Sequence, residues 1–273
     1  MNRIAQTFER LKASDEKGLI AYLTAGDPSP DRTVELILAL EAGGADILEL
    51  GVPFSDPMAD GPVIQKASER ALRAGTTLPK VLAIIRETRK SSELPIIVFS
   101  YLNPILRYGF ERFAEDAQAA GADGALLTDL SIDAAEPYLE QMRKHELATV
   151  FLGAQTSTDE RLKQLADAST GFLYLVSTAG VTGMRDAVSN SAVPLLERAR
   201  KQTAIPLAVG FGLSKREHME AVAPHCDAAI VGSAFMRVVE QNQQAPDLAA
   251  KLQALAGELK AGLRAPAGAP AGA

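Results

Sequence analysis

The chain has 273 residues, 47% of them hydrophobic, enough for one large core or two small ones. A net charge of -6 without a basic run or stripe argues against nucleic-acid binding. The lone cysteine, Cys226, excludes an intramolecular disulfide and a cysteine-built zinc site, and His145, His218 and His225 lack ligand spacing, so no metal is expected.

The first residues, MNRIAQTFERLKA, read as an amphipathic, charged helix rather than a signal peptide. No apolar segment reaches about 18 residues free of charge, so a cytoplasmic chain without a membrane span is expected. Eight short apolar runs follow. The first four are GLIAYLTAG (Gly18 to Gly26), ADILELGV (Ala45 to Val52), LPIIVFSY (Leu94 to Tyr101) and DGALLTDL (Asp123 to Leu130). The second four are LATVFLGA (Leu147 to Ala154), GFLYLVST (Gly171 to Thr178), IPLAVGFG (Ile205 to Gly212) and DAAIVGSA (Asp227 to Ala234). Runs that are apolar on both faces suit parallel strands covered by helices. Eight strand–helix units in about 250 residues predict an α/β fold, a closed (β/α)8 TIM barrel in one domain with an extra N-terminal helix. An open doubly wound sheet is the alternative. It would usually carry G-x-G-x-x-G after the first strand, and none stands there.

Local signals fit the same plan. Ser29-Pro30 reads as a cap followed by proline in the first turn, and Ser157 with Glu160 and Ser214 with Glu217 read as capping boxes. Gly43, Gly75 and Gly121 stand where helices should stop. EAGGADILEL, QAAGADGALLTD and APHCDAAIVG repeat one theme, helix end, tight turn, Asp, buried strand, at irregular spacing. Two connections, Pro53 to about Thr77 and Thr178 to about Val193, exceed what a bare unit needs, which marks them as functional loops. Residues 1–263 are expected to form the barrel. The Pro, Ala and Gly of 264–273, RAPAGAPAGA, have nothing to bury and read as a disordered tail.

The chemistry concentrates in LELGVPFSDPMADGP, Leu48 to Pro62. Period two puts Ile47, Glu49 and Gly51 on one face and Leu48 and Leu50 on the other. If the leucines meet helices, Glu49 points into the barrel near its C-terminal end. A carboxyl there loses hydration and its pKa rises, which suits proton transfer near neutral pH. The competing reading is a structural carboxylate held by backbone or a lysine. Asp60 precedes Gly61-Pro62 and a helical pattern, so alone it reads as a helix N-cap, and Asp56 as a turn former. Only their nearness to Glu49 raises them further. AGVTG (Ala179 to Gly183), GFGLS (Gly210 to Ser214) and VGSA (Val231 to Ala234) follow the last three runs. Glycine turns in those places suit a phosphate cradle of backbone N–H groups, with no lysine or arginine required.

With TAGDP (Thr24 to Pro28), STDERL (Ser157 to Leu162), GVTG, GFGLS and GSA in order around that stretch, the chain from about Phe8 to Leu263 resembles the alpha subunits of tryptophan synthase. The resemblance implies a (β/α)8 barrel and retro-aldol cleavage of indole-3-glycerol phosphate to indole and D-glyceraldehyde 3-phosphate. Glu49 would be the acid/base, and Asp60 would hold the indole nitrogen, possession of that role not barring it from capping the helix. Phosphate would meet Gly183, Gly212, Gly232 and Ser233. Indole would lie among Tyr22, Phe99, Tyr101, Leu126, Leu152, Tyr174 and Phe211, a set that on composition alone is also a core inventory. Thr182 would bond Asp60 as its loop closes. No cofactor is implied in this chain. A beta subunit carrying pyridoxal phosphate is implied as partner in an alpha-beta-beta-alpha tetramer, meeting the loop from Pro53 to about Thr77. Thr178-Ala179, Ser131, Gln155 and Phe172 depart from the family pattern, the first where many relatives carry an arginine. A silent barrel kept to activate a partner, a free-standing lyase releasing indole, and another phosphate-binding barrel are the competing functions. The retained acid pair opposes the first, and the apolar aromatic set opposes the last.

Overall fold

The structure, a computed structural model, describes residues 2–176, 184–210 and 212–264. It opens with α1 (Arg3–Ala13), β1 (Gly18–Thr24), α2 (Pro30–Ala42) and β2 (Ile47–Gly51). Two helices, α3 (Pro62–Arg73) and α4 (Leu78–Thr88), precede β3 (Ile96–Ser100), and two more, α5 (Leu102–Tyr108) and α6 (Phe110–Ala120), precede β4 (Gly124–Leu127). A 3-10 turn (Ile132–Ala134) and α7 (Glu136–Lys144) lead to β5 (Ala148–Ala154), α8 (Asp159–Ala168) and β6 (Leu173–Val176). The chain ends with α9 (Met184–Gln202), β7 (Leu207–Gly210), α10 (Arg216–Val222), β8 (Ala228–Val231), α11 (Ser233–Gln241) and α12 (Leu248–Gly262). The eight strands are parallel, pair in chain order, and close through β8 on β1.

All eight runs are strands, each shorter than its run because the run's ends enter the turns. The two long connections come out differently. The first contains α3, with irregular chain before it and a short turn after it. In the second, the chain is helical from Met184 onward. Two capping boxes are corrected. The Ser157 hydroxyl accepts from the Ala154 N–H at 3.1 Å, so Thr158 caps α8 and accepts from the Arg161 N–H at 3.1 Å. Glu160 thereby falls one position too early to reach back. At α10 the N-cap is Lys215, and the Ser214 N–H donates to His218 Nδ1 at 3.1 Å. Gly43 and Gly121 cap α2 and α6 and Gly75 follows α3, with φ of +89° at Gly121 and +76° at Gly75, a conformation that favours glycine.

The strands divide two cores. Leu48 and Leu50 face outward into the layer between sheet and helices, while Ile47 faces inward with Ile20, Ile97 and Leu126. Ile4, Phe8 and Leu11 of α1 belong to the inner core, and Phe8 meets Phe172 at 5.9 Å, so α1 plugs the end of the barrel where strands begin.

That end also explains the repeat. Asp46, Asp123 and Asp227 each stand one residue before an even-numbered strand. Each carboxylate accepts an N–H from the first or second residue of the preceding strand: Leu19 at 2.9 Å, Ile96 at 2.8 Å and Leu207 at 2.8 Å. Each aspartate N–H donates back to that residue's carbonyl. Thr170 does the same for Thr149 through its hydroxyl. Each carboxylate also has a cation: Lys260 and Arg10 on Asp46, Arg89 and Arg3 on Asp123, Arg200 on Asp227. The recurring Asp is a clamp for strand pairs, satisfying backbone groups that the ladder leaves open.

Candidate active site

A cavity of about 410 Å³ opens where the strands end, opposite the clamps. Its side walls come from the barrel interior: Tyr22 of β1, Phe99 of β3, Leu152 of β5 and Tyr174 of β6. Two glycines give the tyrosine rings room. A Cβ on Gly51 of β2 would collide with the Tyr22 hydroxyl, and one on Gly210 of β7 would lie 2.5 Å from the Tyr174 hydroxyl. Tyr22 meets Phe99 edge-on at 5.2 Å and shares a hydrogen bond of 3.2 Å with Thr24. Leu126, expected beside the indole, is fully buried in the inner core beside Phe99 in register and is not part of the cavity wall.

Glu49 points inward, as the period-two reading requires, in register with the cavity residue Tyr22 on β1 and with Ile97 on β3, though it does not itself line the cavity. It is 1% exposed, and its Oε1 has no hydrogen-bond partner among the described residues. Loss of hydration alone lifts its pKa from 4.5 to about 8, so it holds a proton at neutral pH. No described backbone group or lysine holds that oxygen, which counts against the structural alternative.

Asp60 comes over the mouth on the connection between β2 and α3. The N-cap of α3 is Gly61 with Pro62 just inside, so the aspartate does not cap the helix. Its carboxylate instead takes a hydrogen bond from the Tyr101 hydroxyl, and that hydroxyl accepts the Ala59 N–H at 3.0 Å. Tyr101 stands behind Asp60 against Phe54, ring centroids 5.2 Å apart, and is not itself in the cavity wall. Burial raises Asp60 to about 6 and the tyrosine bond restrains the rise. At neutral pH it is a carboxylate. Asp56 is exposed, and its carbonyl accepts the Met58 N–H, the turn role read from Ser55-Asp56-Pro57. Both Glu49 and Asp60 act electrostatically on the phenols of Tyr22 and Tyr174, raising their pKa beyond what burial does. The two acids therefore converge on one tyrosine-walled space.

Gly212, Gly232 and Ser233 line the same cavity. Gly212 has φ +79°, and Gly232-Ser233 form the N-terminus of α11, whose open N–H groups and dipole favour an anion. Thr182, Gly183 and Phe211 lie outside the described residues, as do Thr178-Ala179 and the last nine residues of the tail. Sequence reasoning missed Ala59, Pro62, Val63 and Ile64, which form a wall from the start of α3, and also Thr128, Val176 and Arg237. The signal for Arg237 was its place four residues after Ser233, one turn along the same helix face. Of the departures, Ser131 opens the 3-10 turn by accepting the Asp133 N–H, and Phe172 is packed in the inner core. Among the described residues no group of three or more His, Cys, Asp or Glu is placed to hold a metal ion, and no helix is long and apolar enough to cross a membrane.

The family model described as tryptophan synthase alpha chain matches residues 8–264. The chain belongs to the tryptophan synthase alpha chain family. The alpha chain of Solibacter usitatus is 55% identical over 97% of this chain and 99% of its own, and that of Geotalea uraniireducens 45% identical over 98% and 100%. Among solved structures, the alpha subunit from Legionella pneumophila superposes with a TM-score of 0.89 at 40% identity, covering 96% of this chain and 98% of its own. A chain of tryptophan synthase from M. tuberculosis, in an aminoacrylate-bound form, gives 0.86 at 36% identity over 97% and 100%. Membership of this family accounts for the motif order read from Thr24 to Ser233, and the barrel is the family's fold.

Proposed function

We propose that the chain cleaves indole-3-glycerol phosphate by a retro-aldol step, giving indole and D-glyceraldehyde 3-phosphate. The observation that carries the reading is the split protonation of two acids that act on the same two cavity tyrosines: Glu49 protonated below about 8, Asp60 ionised above about 6. Environments that keep one carboxyl protonated and its neighbour ionised give the two different roles, here a proton donor and a stabilising charge.

In this reading Glu49 gives its proton to the ring carbon that bears the side chain. The ring becomes an indolenine cation, and the Asp60 carboxylate stabilises the charge at the ring N–H. The carbon–carbon bond then breaks. Its electrons return to the ring, which regains aromaticity, and the hydroxyl-bearing carbon becomes the aldehyde. The hydroxyl proton passes to the Glu49 carboxylate, which restores the acid. The balance needs no water, oxidant or metal. Tyr22, Phe99, Leu152 and Tyr174 would hold the ring, and Gly212, Gly232 and Ser233 the phosphate, with Thr182, Gly183 and Phe211 contributing by family resemblance. A volume of about 410 Å³ is within the usual range for small-ligand sites.

Membership of an alpha chain family supports a beta chain as partner, and the reading extends to an alpha-beta-beta-alpha tetramer in the cytoplasm. Pyridoxal phosphate would belong to the beta subunit, which consumes the indole. Met58, 83% exposed, and Leu106, 55% exposed, are large apolar side chains on the connection after β2 and on the helix after β3, the cavity's own end of the barrel. They suit a covered face there. Residues 1–263 would act as one lyase domain, with 264–273 outside it.

The test is indole release from indole-3-glycerol phosphate by the pure chain, with and without a beta subunit. Weak release alone and strong enhancement with the partner are expected. Equal rates would favour a free-standing lyase, and no indole in either case would end the reading.

A further inference from the structure

The phosphate end of the cavity contains a charge that a cradle of backbone N–H groups does not require. Arg237 is, among the described residues, the one lining residue with a positively charged side chain. It lies on α11 one turn beyond Ser233, so both project from the same helix face.

The surrounding cations are already engaged. Arg70 holds Asp27 through two hydrogen bonds of 2.8 Å, and Lys66 meets Glu240 at 3.5 Å. Arg32 pairs with Glu35 at 3.2 Å. The Arg237 guanidinium has no hydrogen bond or ion pair to any described residue, and the residue is exposed. A free guanidinium beside an anion-directed helix end is a fork suited to phosphate oxygens.

Electrostatics give it a task. The Asp60 carboxylate lines the same cavity, and a phosphate monoester brings nearly two more negative charges at neutral pH. The partial charges of Gly212, Gly232 and Ser233 must oppose that repulsion alone unless a full cation contributes.

We propose that Arg237 is the phosphate-binding cation of this site, selecting a dianionic tail and drawing it in from solution. The inference rests on the lyase reading for the identity of the substrate. It makes Arg237 a binding residue and not a catalytic one, because the reacting carbon lies at the acid end. An interaction made equally in the ground and transition states changes KM and not kcat.

The experiment compares the full chain with Arg237→Gln and Arg237→Lys. An exposed side chain without internal partners can be exchanged without threatening the fold. Two readouts are taken: steady-state cleavage of indole-3-glycerol phosphate at low and high salt, and calorimetric binding of inorganic phosphate. Arg237→Gln should raise KM and weaken phosphate binding by about tenfold while kcat stays within about twofold. It should also flatten the salt dependence of kcat/KM, and Arg237→Lys should recover part of each loss. Unchanged KM and phosphate affinity in Arg237→Gln would overturn the proposal. If the wild-type chain binds phosphate through Arg237 yet releases no indole, the substrate reading fails and the anion site stands.

Discussion

Asp46 and Asp123 at one end of the barrel and Glu49 near the other have nearly the same burial, at 9%, 4% and 1% exposed. Their surroundings are opposite. Asp123 accepts the Ile96 N–H and meets Arg89 and Arg3, so the rise that burial causes is opposed by three partners. Asp46 accepts the Leu19 N–H and meets Lys260 at 2.6 Å and Arg10 at 2.8 Å. Glu49 has burial and nothing against it. The comparison teaches that burial of an acid does not mark a site. A missing counter-charge does, because the fold then bears a cost that only chemistry explains. The clamp end holds strands together, and the open end holds a proton.

The largest effect should come from Glu49→Gln. An amide cannot deliver the ring proton, so kcat should fall by about 10³- to 10⁴-fold while phosphate binding survives. Stability gives an independent reading. The folded-state pKa of Glu49, about 8, is above its ordinary 4.5, so its contribution is full below 4.5 and is lost as pH rises through about 8. Urea unfolding at pH 5 and pH 9 should show wild type losing on the order of 4 kcal/mol relative to the Gln variant. A parallel pH response in both proteins would mean Glu49 is paired after all, and the contrast with Asp46 would collapse.

Lys260→Met tests the other end. It removes the buried partner of Asp46 and should lower stability by about 3–5 kcal/mol. Turnover per folded molecule should stay near wild type, since the clamp lies beyond the inner core from the cavity. A comparable loss of kcat in the folded variant would show that the two ends are coupled. Asp60→Asn should lower kcat/KM by about 10²-fold, because a neutral amide stabilises the indolenine cation poorly. The wild-type profile of kcat/KM against pH should be bell-shaped, active above about 6 and below about 8, and the Asn variant should lose the acid limb.

Much of this contrast was legible in the sequence. Apolar runs free of alternation gave the strands, and period two placed Glu49 inside, because a strand's two faces are fixed by residue parity. The recurring Asp was visible as a pattern, but its clamp role was not, since Lys260 lies 214 residues from Asp46. Asp60 was ambiguous for a local reason. Asp-Gly-Pro before a helix suits a cap, and only Tyr101, brought across from the end of β3, diverts the carboxyl. Leu126 was placed beside the indole by family resemblance alone, and the structure packs it in the inner core, in register with Phe99 and outside the cavity lining. The capping boxes at Ser157 and Ser214 failed because a neighbouring N–H or the His218 ring competed for the same groups.

The smallest effect isolates that last tertiary contact. Tyr101→Phe keeps the ring against Phe54 and deletes only the hydroxyl, so Asp60 loses a donor and the Ala59 N–H loses its acceptor. The tyrosine bond restrains the rise in Asp60's pKa, so its removal should move the acid limb of kcat/KM upward from about 6. Activity should therefore fall about threefold to tenfold near pH 6 and recover as the pH approaches 7.5, where Asp60 is ionised in both proteins. The recovery separates this outcome from a merely loosened loop, which would lower activity at every pH. If the acid limb stays in place, the group titrating near 6 is not Asp60, and the open end of the barrel has lost its carboxylate.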